Sequence, residues 1–178
     1  MAWLKRYEIK KGKHRSGLHF GLRLFRVCGG QLKFRISNTS AYTLERNQGQ
    51  INKIGGWSLG LNHHKNSIRI GWESLNKYSY QYLQSYMGYI YYYNRGERKQ
   101  IRFETPLYYD KDYTVDMYFN RHGTVSVYLF DQGMNIVESV DFPFRYPFHL
   151  FTYPLFPYFG GKEPAPHDIV IYLKKKLF

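Results

Sequence analysis

Aromatic rings interleaved with directed hydrogen-bonding groups are the chemistry this sequence offers first. Between Trp57 and Trp72 lie His63, His64, Asn66 and Arg69. Indole rings stack on sugar faces or nucleobases, while imidazole, amide and guanidinium groups bond to their edges. These six residues form the candidate ligand-binding set. The tyrosines at 86, 89, 91, 92 and 93 add similar material, although strand alternation sends every second ring of such a run inward. Lys10, Lys11, Lys13 and Arg15 form a second set. Closely spaced cations of this kind attract polyanions, with a strength that falls as salt screens them.

Other chemistries lack their residues. Seven His invite a metal reading, above all His63 and His64 with His122, His167 and Asp168. There is no His-Glu-x-x-His or paired-Cys spacing, and neighbouring residues of a regular strand point to opposite faces. No metal site and no cofactor is expected. Glycosidases need two carboxyl groups roughly 5–10 Å apart. The close candidates are Asp110, Asp112 and Asp116, of which the first two sit at a strand mouth as ordinary turn residues. Cys28 precedes two glycines in a turn, and no nucleophile elbow or phosphate-binding loop occurs. The sequence thus leans towards a non-catalytic protein.

Composition sets the frame for those groups. The 178 residues suit one domain, taken as 1–178 with a basic N-terminal segment of about fifteen residues. A hydrophobic fraction of 43% argues for a folded chain. The net charge of +13 is concentrated early: residues 1–35 hold ten Lys or Arg against Glu8 alone. With a single Cys no internal disulfide can form. The first residues lack the apolar run of a signal peptide, and no stretch approaches the roughly 20 apolar residues of a membrane span. A cytoplasmic protein is expected, with virion association as the variant that would look the same.

The elements that must carry these groups are strands. Leu32–Ile36 alternates apolar residues with cations, the period-two pattern of a half-buried strand. Similar runs cover 67–72, 86–93, 113–119, 124–130, 135–140 and 168–173, all rich in Val, Ile, Tyr and Phe. Asn120-Arg-His-Gly123 links two of them as a hairpin, and Asp131-Gln-Gly133 leads into a third strand of a meander. Glycines 55, 56 and 60 mark a bulge or close sheet packing. Six prolines between 143 and 166 predict an edge or a long crossover with aromatic anchors. Leu75–Met87 comes nearest to helical periodicity, yet its tyrosines at 78, 80, 82 and 86 alternate. The fold class is all-β: a two-sheet antiparallel sandwich or jelly roll with little or no helix.

Ile51–Trp72 and the downstream stretch Leu155–Ile169 together resemble a group of uncharacterised proteins from gut bacteria and their phages. That group is similar in element order to concanavalin A-like jelly rolls of the lectin and glucanase type. The resemblance spans about Lys11 to Leu173 and implies the sandwich; it brings no catalytic residue, and the glucanase carboxylate motif is absent. The leading expectation is a ligand-binding sandwich, with a carbohydrate as its foremost ligand. The alternatives are a polyanion- or nucleic-acid-associated protein acting through the basic segment, and a structural or assembly subunit of a phage or mobile element.

Overall fold

The computed structural model describes residues 4–19, 28–44, 46, 49–75, 84–120, 122–145 and 152–178. Tyr78, Tyr80 and Tyr82, Arg121 of the expected hairpin link, Pro147 of the six prolines, and two of the ten early cations, Arg23 and Arg26, lie outside them. The described residues form twelve strands: β1 (Lys5–Ile9), β2 (Gly29–Ile36), β3 (Asn52–Leu59), β4 (Asn66–Ser74), β5 (Ser85–Asn94), β6 (Glu97–Arg102), β7 (Leu107–Tyr108), β8 (Tyr113–Asn120), β9 (Thr124–Phe130), β10 (Ile136–Pro143), β11 (Thr152–Leu155) and β12 (Ile169–Leu177). One 3-10 turn, Asn38–Ser40, is the sole helical element among them.

Two antiparallel six-stranded sheets result. The first runs β1-β12-β2-β8-β9-β10, the second β11-β3-β4-β5-β6 with β7 paired to β5. The expected hairpin is β8–β9, with Gly123 at φ +78° closing its turn, and β10 completes the meander. The proline-rich stretch supplies β11, an edge strand of the second sheet. There Pro154 faces Trp57 of β3 without occupying an interior ladder. The glycines after Lys53 belong to β3, whose register against β4 shifts between Lys53 and Gly55. Strands β1 and β6 were not anticipated. Lys5–Ile9 is short, and Glu97–Arg102 is almost wholly exposed, so neither carries a long apolar alternation.

One hydrophobic cluster joins the inner faces of both sheets, from Leu32, Phe34 and Val115 to Trp57, Ile70 and Ile90. Trp57 and Trp72 lie inside it, 1% and 0% exposed. A side chain at Gly30 would sit 2.9 Å from the Trp57 ring, so this glycine in the first sheet makes room for an indole from the second. Trp72 meets Tyr42 edge-on at 5.2 Å. Two buried indoles at the sheet interface remove about 150–250 Å² each from water, which makes them anchors of the core. The placement corrects the expectation that they contact a ligand: their strand parity points them inward.

Parity also sorts the tyrosines of β5. Tyr86 and Tyr92 enter the core cluster, whereas Tyr89 and Tyr91, with Ile51, Leu75 and Met87, pack on the outer face of the second sheet. That outer face is the floor of the site.

Candidate functional site

The outer face of the second sheet carries an open cleft of about 670 Å³. Its floor comes from three adjacent strands: Lys53 of β3, Arg69 of β4, and Tyr91 and Tyr93 of β5. Arg69 sits directly between Gly56 and Tyr91 in the ladder. The glycine sets no side chain against Arg69 on that side. A side chain could not stand there, because its Cβ would fall 2.1 Å from the Ile68 carbonyl oxygen. One wall is the chain from Tyr153 to Gly161, another is Arg15–His19, and the turn carrying His63 and His64 closes one end.

Backbone pairing holds these walls. Tyr158 bridges both Arg15 and Lys53, with Lys53 N donating to Tyr158 O at 2.8 Å and Tyr158 N to Lys53 O at 2.9 Å. Gly160 N donates to the buried Asn52 Oδ1. His14 Nδ1 lies 2.9 Å from Phe159 O, and its ring stacks on Tyr158. The wall is thus tied to β3 at several points, which favours a largely preformed cleft.

The electrostatics are one-sided. Arg15, Lys53 and Arg69 line the cleft, and among the described residues no Asp or Glu does. Lys53 is buried; its Nζ donates to Ile51 O at 2.6 Å and lies 4.6 Å from the Tyr91 ring centre. Burial pushes its pKa down to about 8, helped by the charges of Arg69 and Arg98. Burial also lowers Arg69, an effect partly countered by the tyrosines around it. The Arg69 Nε is buried, without a hydrogen-bond partner among the described residues. A cation left in this state is costly unless a ligand supplies the acceptor. His63 is driven down to about 4, mainly by burial and then by Arg69, so its ring is neutral at pH 7. Its Nδ1 lies 3.4 Å from the Tyr153 hydroxyl, which also donates to Leu61 O.

The predicted ligand set is therefore split. His63, His64 and Arg69 line the cleft, Trp57 and Trp72 are core, and Asn66 shapes a turn, its Oδ1 accepting from Arg95 N at 3.0 Å. The two histidines occupy a turn and not a strand, so their rings lie side by side, 4.1 Å between centres. The opposite-faces rule does not apply to them. Among the described residues no group of three or more His, Cys, Asp or Glu is placed to hold a metal ion.

The basic set also divides. Arg15 joins the cleft. Lys10 pairs with Glu8 and Asp168, and Lys11 N donates to Asp168. Lys13 is exposed, its backbone bonded to Lys10 and Ala165. The carboxylates Asp110, Asp112 and Asp116 serve structure: Asp110 accepts from Asn38 N, Asp112 lies 3.4 Å from Arg35, and Asp116 accepts from Gln31. Sequence reasoning missed Lys53, Tyr153 and Tyr158 as parts of one site. The signal for Lys53 was its place one step before the glycine bulge, where it faces out opposite Gly71.

No protein-family model matches the chain, and no curated protein matches it by sequence. Solved structures do match it. A double mutant of alginate lyase Aly36B, in complex with an alginate trisaccharide, aligns with a TM-score of 0.56 at 14% identity. That alignment spans 97% of this chain and 80% of the other. Alginate lyase PA1167 from Pseudomonas aeruginosa gives 0.53 at 10% identity, over 86% of this chain and 65% of its own. A functionally unknown protein from Saccharomyces cerevisiae gives 0.50 at 11%, over 96% and 82%. The fold is a concanavalin A-like jelly roll. At these identities the likeness establishes the fold and no more.

Proposed function

We propose that the protein binds an acidic polysaccharide, a run of uronic acid residues, in the cleft on the second sheet. One observation carries this reading: Arg15, Lys53 and Arg69 line a common open space in which, among the described residues, no carboxylate stands and Arg69 Nε has no acceptor. A uronate supplies a planar carboxylate that fits the guanidinium fork, and its pyranose face suits Tyr91, Tyr93 and Tyr158. The names of two structural neighbours, both alginate lyases, support the same substrate class. Calorimetric titration with an alginate oligosaccharide tests it. Binding that weakens with salt and falls about tenfold or more in Arg69→Gln supports the reading, and no heat at millimolar ligand opposes it.

A second reading, cleavage of the same polymer by elimination, is favoured by the contact of Tyr153 with neutral His63 beside Arg69. Neutral His63 would take the proton α to the uronate carboxylate while Arg69 stabilises the developing charge; the glycosidic C–O bond would break as the C=C bond forms, the Tyr153 hydroxyl would protonate the leaving oxygen, and the proton on His63 would return to Tyr153. Release of an unsaturated product, followed by ultraviolet absorbance, distinguishes turnover from binding alone. Abolition by Tyr153→Phe with retained affinity would assign the chemistry to this pair.

A further inference from the structure

The opposite face of the sandwich carries an independent charge anomaly. On the outer side of the first sheet, parity projects Tyr172, Lys174 and Lys176 from β12, Gln31, Lys33 and Arg35 from β2, and Asp116 and Tyr118 from β8. The register aligns them in rows. Lys174 stands directly opposite Lys33, the next row holds Lys176, Gln31, Asp116 and Tyr128, and the row after it holds Phe178, Gly29 and Tyr118. Like charges directly opposite one another in an antiparallel pair destabilise it. Lysines often protect edge strands against aggregation, but β12 and β2 are interior strands of this sheet.

The acids of this face do not neutralise the pair. Asp116 is engaged by Gln31 at 2.8 Å, Asp112 lies beside Arg35, Glu8 pairs with Arg6 and Lys10, and Asp141 of β10, in the row of Tyr118 and Ser126, pairs with none of the three lysines. Among the described residues no carboxylate lies within ion-pair distance of Lys33, Lys174 or Lys176. Next to these lysines is a group of open rings. Tyr118 is 41% and Phe178 44% exposed. The Phe178 ring lies across Gly29, where a Cβ would fall 2.6 Å from it. The Tyr118 ring is 5.7 Å from Phe178 and 6.1 Å from Tyr128, with interplanar angles of 50° and 68°. The rings meet at an angle and do not cover one another's faces.

We propose that this face binds single-stranded nucleic acid, the phosphates on Lys33, Lys174 and Lys176 of two adjacent rows and unpaired bases on Tyr118, Tyr128 and Phe178. A flat sheet presenting cations beside exposed rings is the arrangement by which stacking platforms hold single strands without reading sequence. Lysine serves a phosphate as a point charge, whereas the planar carboxylate of a uronate is better matched by the guanidinium of the other face. The two surfaces sit on different sheets and stand or fall separately.

The test is fluorescence anisotropy of a labelled oligothymidylate with the full chain across a salt series. Three variants are compared: Lys33→Gln/Lys174→Gln/Lys176→Gln, Tyr118→Ala/Phe178→Ala, and Arg69→Gln, with circular dichroism confirming that each is folded. The triple variant should flatten the slope of log K against log salt by about 2, at roughly 0.7 per phosphate contact. Loss of the two rings should weaken binding at fixed salt by about tenfold or more, and Arg69→Gln, which impairs the cleft on the other sheet, should leave the oligonucleotide affinity of this face as in the wild type. No retention of the oligonucleotide by the wild type at low salt would overturn the proposal. So would an unchanged slope in the triple variant. Unchanged affinity in the ring variant would reduce the face to a general polyanion surface, and loss in Arg69→Gln would move the binding to the cleft.

Discussion

Lys175 gives the sharpest test of the energetics. It alternates with Ile171 and Leu173 on the inner face of β12, so its stem lies between the sheets, and its Nζ donates to Leu155 O at 2.9 Å. The Phe156 ring centre lies 3.6 Å away, and no carboxylate is paired with it among the described residues. Burial pushes its pKa from 10.5 down to about 7. At 1.36 kcal/mol per unit, keeping this proton costs the folded state about 4 kcal/mol at pH 7. Lys175→Met removes that cost. It also removes the ring contact and leaves the Leu155 carbonyl without its donor, which together return about 2–3 kcal/mol. The net gain is about 1–2 kcal/mol at pH 7, or about 2–8 °C in Tm for a chain of this size. The sign of the pH dependence follows from the lowered folded pKa. Between about pH 7 and 10.5 the unfolded chain holds a proton that the folded chain has lost, so wild-type stability rises with pH across that window. Denaturant unfolding at pH 6, 7.5 and 9 should show this rise in the wild type and a shallower one in Lys175→Met, in which Lys53 still contributes above pH 8. A variant less stable than wild type at pH 7, or one with an unchanged slope, would refute the reasoning.

Further outcomes follow from the same structure. Arg69→Gln should weaken alginate-oligosaccharide binding about tenfold to a hundredfold, the value of a charge-assisted bond or two, as read by calorimetry. A bound carboxylate should raise the Lys53 pKa above its free value of about 8. Affinity should then be full below pH 8 and fall as pH rises through the bound value, with proton uptake seen when titrations are repeated in buffers of different ionisation enthalpy. Trp72→Ala should cost about 3–5 kcal/mol in denaturant unfolding, and the milder Trp57→Phe should lower stability without changing saccharide affinity. Above pH 10 the buried Tyr42, Tyr86 and Tyr109, held protonated by burial, should reverse the rise in stability, giving a maximum near pH 9–10 in a thermal-shift series.

The all-β sandwich was legible because period-two alternation is a local property, strong in Leu32–Ile36, β8 and β9. The site was legible in part. His63, His64, Arg69 and Arg15 were singled out, yet the tryptophans that seemed their natural partners are core. Sequence offers residue type, whereas face depends on register, and the shift between Lys53 and Gly55 falls just before Trp57. The wall from Tyr153 to Gly161 reaches Lys53 from about a hundred residues downstream, a closure that no local pattern encodes. The cationic excess of the first 35 residues looked like one surface, but alternation distributes it. Arg15 goes to the cleft, Lys33 and Arg35 to the opposite face, and Lys10 to Asp168.

The central claim is that the cleft recognises carboxylate on a sugar chain. Its most direct test is paired calorimetric titration of one alginate oligosaccharide and its carboxyl-reduced, neutral counterpart. The account predicts saturable binding of the acidic chain, none of the neutral one, and a difference cut about tenfold or more in Arg69→Gln. Equal binding of both chains, or an acidic preference undiminished in Arg69→Gln, would contradict it.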